Sequence, residues 1–132
     1  MENLQNPKEA VLKLKRVYFS DISYKFEAKE KTNFKYTFSF QKEMREISQN
    51  EYYICLVCNA EDKKNKVELH IKIVGEFECE LDDEKFKEIL LNQNAISILF
   101  PYLRSQIYMV TAQPSTPPVN LPAINILSLF EK

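Results

Sequence analysis

The sequence holds one glycine, Gly75, one histidine, His70, and no tryptophan. One glycine cannot build a Gly-rich phosphate cradle or a dinucleotide-binding turn, so P-loop and Rossmann chemistry are excluded. The histidine alternates with Glu68 and Lys72 on a strand-like stretch with no nucleophile pattern beside it, which makes it a solvated strand position rather than a catalytic base. No apolar run reaches the ~18 residues that span a bilayer. The opening MENLQNPKEA lacks a basic region followed by an apolar one, so no signal peptide is expected, nor membrane insertion, and the expected location is cytoplasmic. Charge of neither sign dominates: 18 Lys and Arg against 19 Asp and Glu leave a formal −1, with no basic footprint for nucleic acid.

Cysteine is scarce and odd in number: Cys55, Cys58 and Cys79. A secreted fold stapled by disulfides is not expected from this usage. Cys55 and Cys58 form a C-x2-C, but within YYICLVC, where residues three apart on a strand point to opposite faces. Buried free thiols are the reading, and no metal site.

What is present is apolar patterning. Hydrophobic residues make up 45% of 132, enough for one domain with a modest core. From Leu12 to Phe26 apolar residues occur at both parities, so this strand is expected to be sticky on two faces. NFKYTFSFQKE places Phe34, Tyr36, Phe38 and Phe40 on one side of a strand and Lys35, Thr37, Ser39 and Gln41 on the other. EYYICLVCNA is apolar at both parities. Val67, Leu69, Ile71 and Ile73 then alternate with polar residues, after a polar hairpin turn, EDKKNK, whose lysines 63, 64 and 66 read as a solvated tip. Four strands with short polar links predict an antiparallel sheet.

The period changes after Asp82. DDEKFKEILLNQ opens with acidic residues that suit a helix start and sets Phe86, Ile89 and Leu90 on one stripe. A second helix is expected to carry Ile96, Phe100, Leu103, Ile107 and Val110, with Ile98, Tyr102 and Met109 beside them. Pro101 fits only a first turn, so the expected cap is Asn94 or Ser97. So broad an apolar helix face, added to two-faced strands, exceeds what a small domain hides internally. Self-association or a groove for extended apolar ligands would cover it.

Three stretches resemble the signature regions of the SecB protein-export chaperones. RVYFSDIS (16–23) supplies Arg16, Tyr18, Asp21 and Ser23. ILFPYLRSQI (98–107) supplies Ile98, Leu99, Phe100, Pro101, Tyr102 and Arg104. PPVNLPAINILSLF (117–130) supplies Pro117, Pro118, Asn120, Leu121 and Asn125, with the family's later proline displaced to Pro122 and Ala123 intervening. Gly75 and Phe77 are similar to the end of the family's last strand.

The resemblance implies an α+β, SecB-like fold: a four-stranded antiparallel sheet with C-terminal helices packed on one side, as a single SecB-like domain over 1–132. It implies a homotetramer built as a dimer of dimers, and a holdase that binds unfolded or nascent polypeptide in hydrophobic grooves without ATP, cofactor or enzyme chemistry. The client would be a preprotein or one dedicated unstable protein, such as the antitoxin of a toxin–antitoxin pair. Asp21 would receive the SecA motor, but Lys25 and His70 stand where further acidic residues are expected, which counts against SecA docking. The family usually continues past Lys132 into another helix that flanks the groove, so a more open groove is expected. Client contact is expected at Phe34 and Phe40, assisted by Tyr52 or Tyr53, with Phe38 as core. The alternative is an oligomeric binding module for a folded partner or small apolar ligand.

Overall fold

The computed structural model describes residues 11–27, 33–114, 116–122 and 124–130, so the expectations that touch residues 1–10, Ala123 and Lys132 lie outside the described residues. Four strands, β1 (Leu12–Phe26), β2 (Thr37–Ser48), β3 (Glu51–Asp62) and β4 (Val67–Cys79), form one antiparallel sheet in the order β1-β4-β3-β2. β2, β3 and β4 follow one another through hairpins, and β1 returns beside β4 as in a Greek key.

Both hairpins have local causes. At the β2–β3 turn Asn50 takes φ 67°, a left-handed conformation that asparagine tolerates. At the β3–β4 turn the buried Asp62 carboxylate accepts from the Asn65 backbone N–H at 3.2 Å, the Asn65 side-chain amide at 2.8 Å and the Lys35 N–H at 2.9 Å. The Asn65 amide, followed by the Lys35 N–H, holds this carboxyl below its ordinary pKa.

The two-faced appearance of the first strand is corrected by its register. β1 carries irregularities between Leu14 and Arg16 and between Phe19 and Asp21. Each extra residue reverses the phase of the alternation. As a result Leu12, Leu14, Val17, Phe19, Ile22, Tyr24 and Phe26 all pair with the odd-numbered residues of β4, from Cys79 to Val67, and share one face.

That face meets a helical arm. α1 (Glu84–Ile89) is capped by Asp83, whose carboxylate accepts the Phe86 N–H at 3.2 Å. A π-helical turn, Leu90–Asn94, follows, and α2 (Ala95–Thr111) continues without a break. The expected cap at Asn94 or Ser97 is therefore corrected: Asn94 has helical φ and ψ and makes no side-chain cap bond, and Ser97 lies inside the helix. Pro101 is internal as well. The helix tolerates it because Pro101 and Ser97 are both exposed, so water can take the Ser97 carbonyl that proline leaves without a donor.

Leu99, Leu103 and Ile107 are fully buried over Ile54, Leu56, Ile71 and Ile73. Gly75 makes this approach possible: a Cβ there would lie 2.6 Å from the Phe77 ring and 2.8 Å from Leu99 Cδ2. At the far end, buried Thr111 donates to the Ile107 carbonyl at 2.7 Å and accepts the Val119 N–H at 2.7 Å, which turns the chain back along α2. A short 3-10 turn, Ile126–Phe130, ends the described chain, with Ile126 in the core.

Candidate functional site

β2 is where alternation and cover part company. Phe38 pairs with Ala60 and Phe40 with Cys58, so the row faces the same side as the helical arm. The arm packs on β4, β3 and β1 and leaves β2 at the margin. All four row residues are half-buried, so Phe38 is not the closed core position its place in the row suggested. The rings support one another instead. Phe34 stacks on Phe26 at 5.7 Å, Tyr36 lies 5.9 Å from Phe38, and Phe38 stacks on Phe40 at 6.3 Å. Phe40 then meets the edge of Phe100 on α2 at 6.2 Å. Tyr24, 6.2 Å from Phe26 and beside Tyr36, joins the two groups into one aromatic strip from the β1 edge to the helix.

Polar groups in the strip are few. The hydroxyls of Tyr24 and Tyr36 are shielded from solvent and lie beside one another, with no other partner among the described residues. Burial pushes the Tyr36 phenol well above its ordinary pKa, with the neighbouring Tyr24 and the Asp62 charge adding to it. Beyond Phe40, Lys42 reaches over the groove: its Nζ lies 3.4 Å from the Asn92 carbonyl and 5.0 Å from the centre of the Phe130 ring. A cleft of about 100 Å³ follows, lined by Met44, Ile54, Leu91 and Ile96 among others. Met44 and Ile47 remain 47% and 46% exposed.

The expected grouping of Tyr52 and Tyr53 with this row is corrected by the register. Tyr52 pairs with Glu46 and Phe40 with Cys58, about 20 Å apart along the strand at ~3.3 Å per residue. Tyr52 is buried beneath Lys87, whose Nζ lies 5.2 Å from its ring centre, and Tyr53 points to the opposite face. Sequence reasoning missed Phe26, Phe100, Phe130 and Lys42. Phe26 was hidden by the phase reversals in β1, and the other three come together only through the fold.

Asp21 lies on the outer face of the sheet, exposed and opposite Lys72. That face is a mosaic of both signs. Lys15 pairs with Glu78 at 3.6 Å, Arg16 with Glu76 at 3.9 Å and Lys72 with Glu43 at 3.4 Å. His70 shares a 2.7 Å hydrogen bond with the Asn59 side chain, and Lys25 sits opposite Glu68. Cys55 lies on this face and Cys58 on the helix face, where burial pushes the Cys58 thiol up to about 12. Among the described residues no group of three or more His, Cys, Asp or Glu is placed to hold a metal ion. No described helix is long and apolar enough to cross a membrane.

On the side of α2 away from the sheet, Ile98, Tyr102 and Met109 are 37%, 46% and 65% exposed at helical spacing, an apolar stripe with no cover among the described residues.

The architecture is an open antiparallel sheet with a helical arm on one face and an aromatic strip at the arm's margin. The chain belongs to the SecB family: the model for preprotein translocase subunit SecB matches residues 5–132. It is 39% identical over 71 residues to protein MJ0357 of Methanocaldococcus jannaschii, covering 51% of this chain and 43% of that one. It is 36% identical over 88 residues to the protein-export protein SecB of Anaplasma phagocytophilum, covering 61% of this chain and 55% of that one. The chain thus spans about half the length of the curated relatives it matches. Its fold is shared by the Mycobacterium tuberculosis Rv1957 SecB-like chaperone, solved with a ChAD peptide from the Rv1956 HigA1 antitoxin. The TM-score is 0.73 at 15% identity, over 87% of this chain and 92% of that one.

Proposed function

We propose that the protein is a holdase that captures extended, non-native polypeptide on the aromatic strip, without nucleotide and without a chemical step. The observation that carries this reading is the half-covered row Phe34, Tyr36, Phe38 and Phe40, continued by Phe100 at the helix. Flat rings left at the margin of a core offer adaptable apolar contact to a segment of any sequence, and burying them releases ordered water. β2 is also an edge strand, so its free backbone groups can pair with a client strand laid along the strip. Phe34 and Phe40 form the two ends of the contact. Family membership supports the chaperone class, and an antitoxin peptide bound by a chaperone of the same fold supports a dedicated client as one form of it.

The stripe of Ile98, Tyr102 and Met109 makes self-association part of the reading: helix packs on helix in a dimer or dimer of dimers and leaves the β2 margins outside. The mixed charges of the outer sheet face, with Asp21 facing Lys72, favour a client-only role over SecA docking. A cytoplasmic address fits a protein that meets nascent chains.

The test is suppression of aggregation of a chemically unfolded protein, followed by light scattering, with no nucleotide present. Suppression at a stoichiometric amount supports the reading. Failure at excess over several unrelated clients, and over antitoxin-type peptides, overturns it.

A further inference from the structure

Two cations lie against the rings of the strip with no counter-charge among the described residues. Lys42 follows Phe40 on the same face of β2, with its Nζ 5.0 Å from the centre of the Phe130 ring and 3.4 Å from the Asn92 carbonyl. Arg104 lies one helical turn beyond Phe100, its guanidinium carbon 6.0 Å from that ring's centre. Because Phe100 meets Phe40 at 6.2 Å, these groups form one chain from Arg104 through Phe100 and Phe40 to Lys42 and Phe130. Neither cation makes an ion pair with a described residue, whereas Lys15, Arg16, Lys63 and Lys72 each sit within 4.0 Å of a carboxylate. Of the β2 carboxylates, Glu43 is on the outer face with Lys72, and Glu46 shares the face of Lys42 but stands opposite Tyr52, about 13 Å further along the strand at ~3.3 Å per residue.

An apolar segment laid on the strip would strip water from the Lys42 ammonium and offer nothing in return, and a basic segment would add a like charge. A segment that brings a carboxylate keeps the cation paired while its neighbours cover the rings. We propose that Lys42, with Arg104 as a second cation, selects extended apolar or aromatic segments that carry an aspartate or glutamate. The carboxylate settles on the Lys42 ammonium. This rests on the capture reading above and adds to it the chemistry of the preferred client.

The test uses the full chain and three fluorescent, unstructured peptides rich in Phe and Leu, identical except for a central Asp, Asn or Lys. Binding is followed by anisotropy at low salt and at about 1 M salt, where the screening length falls to ~3 Å. The Asp peptide is expected to bind about 3- to 5-fold tighter than the Asn peptide, as a partly exposed ion pair allows, with the Lys peptide weakest. High salt and Lys42→Gln each remove the difference, Arg104→Gln narrows it, and Lys42→Glu reverses the order. Lys42 is exposed, so its variants keep the fold. Equal binding of the three peptides, or a preference that survives Lys42→Gln, overturns the selection while leaving capture intact. No binding of any peptide overturns the capture reading beneath it.

Discussion

β4 and β2 alternate apolar and polar residues with the same period, and they end in opposite conditions. On β4, Leu69, Ile71, Ile73 and Phe77 are all at most 2% exposed, beneath the helical arm. On β2 no residue is fully buried, and from Gln41 to Gln49 every residue of the strand and its turn is exposed. Alternation states that one face is apolar; it does not state what will cover that face. The cover depends on where the arm lies, and Gly75 decides that by letting Leu99 come down over β4. The sheet thus has a closed centre that supplies stability and an open margin, which the proposed function uses as binding surface.

The comparison can be broken most directly by truncating one side chain in each region. Leu103→Ala, at a fully buried position over the centre, should cost about 2–5 kcal/mol in denaturant unfolding. Phe38→Ser at the margin should cost about 1–2 kcal/mol, because only part of that ring is withdrawn from water. Equal costs would mean that the strip is ordinary core. Gly75→Ala sharpens the same contrast: the added methyl meets Phe77 and Leu99, and the arm must lift or the ring turn, at about 1–3 kcal/mol. Its thermal unfolding should therefore fall well below that of an alanine placed at an exposed strand site.

Thr111→Val comes next. It keeps the shape but loses the bond to the Ile107 carbonyl and leaves the Val119 N–H without its acceptor, for about 1 kcal/mol. Hydrogen exchange should quicken at Val119 and leave β4 unchanged, and loss of protection in β4 would show that the return segment is part of the core. The smallest effect on stability is expected at Phe34, which stacks on Phe26 outside the core cluster. Phe34→Ser should change unfolding by less than about 1 kcal/mol and still weaken client capture several-fold. A loss of stability matching that of Leu103→Ala, with no separate loss of capture, would place the groove elsewhere.

Much of the fold was legible. The alternation from Val67 to Ile73, the EDKKNK turn and the acidic helix start each appear where local pattern puts them, because side-chain period follows from backbone geometry alone; of the aromatic row only Phe38 and Phe40 lie on a strand, since β2 begins at Thr37 and Phe34 and Tyr36 precede it. The first strand was harder. Its apolar residues fall at both parities, and only pairing with β4 shows that bulges after Leu14 and Phe19 bring them to one face. Pro101 suggested a helix start for a sound local reason, yet exposure on the free side of α2 lets it sit inside. Of the candidate site, period put Phe34 and Phe40 in one aromatic row, while Tyr52 and Tyr53 do not lie with that row, because strands that follow one another in sequence need not bring their aromatics into register.

The sequence by itself determined which segments alternate, which face of β4 is apolar, that no Gly-rich phosphate cradle can form, and that the chain resembles the SecB chaperones, since these rest on residue type and short spacing. Only the tertiary structure decided the order β1-β4-β3-β2, the phase of β1, and the meeting of Lys42, Phe40, Phe100 and Phe130 at one margin. The reason is that these features depend on contacts between residues far apart in the chain. Such contacts are settled when the arm, the return segment and the sheet compete for the same apolar surface, and no local pattern records the outcome.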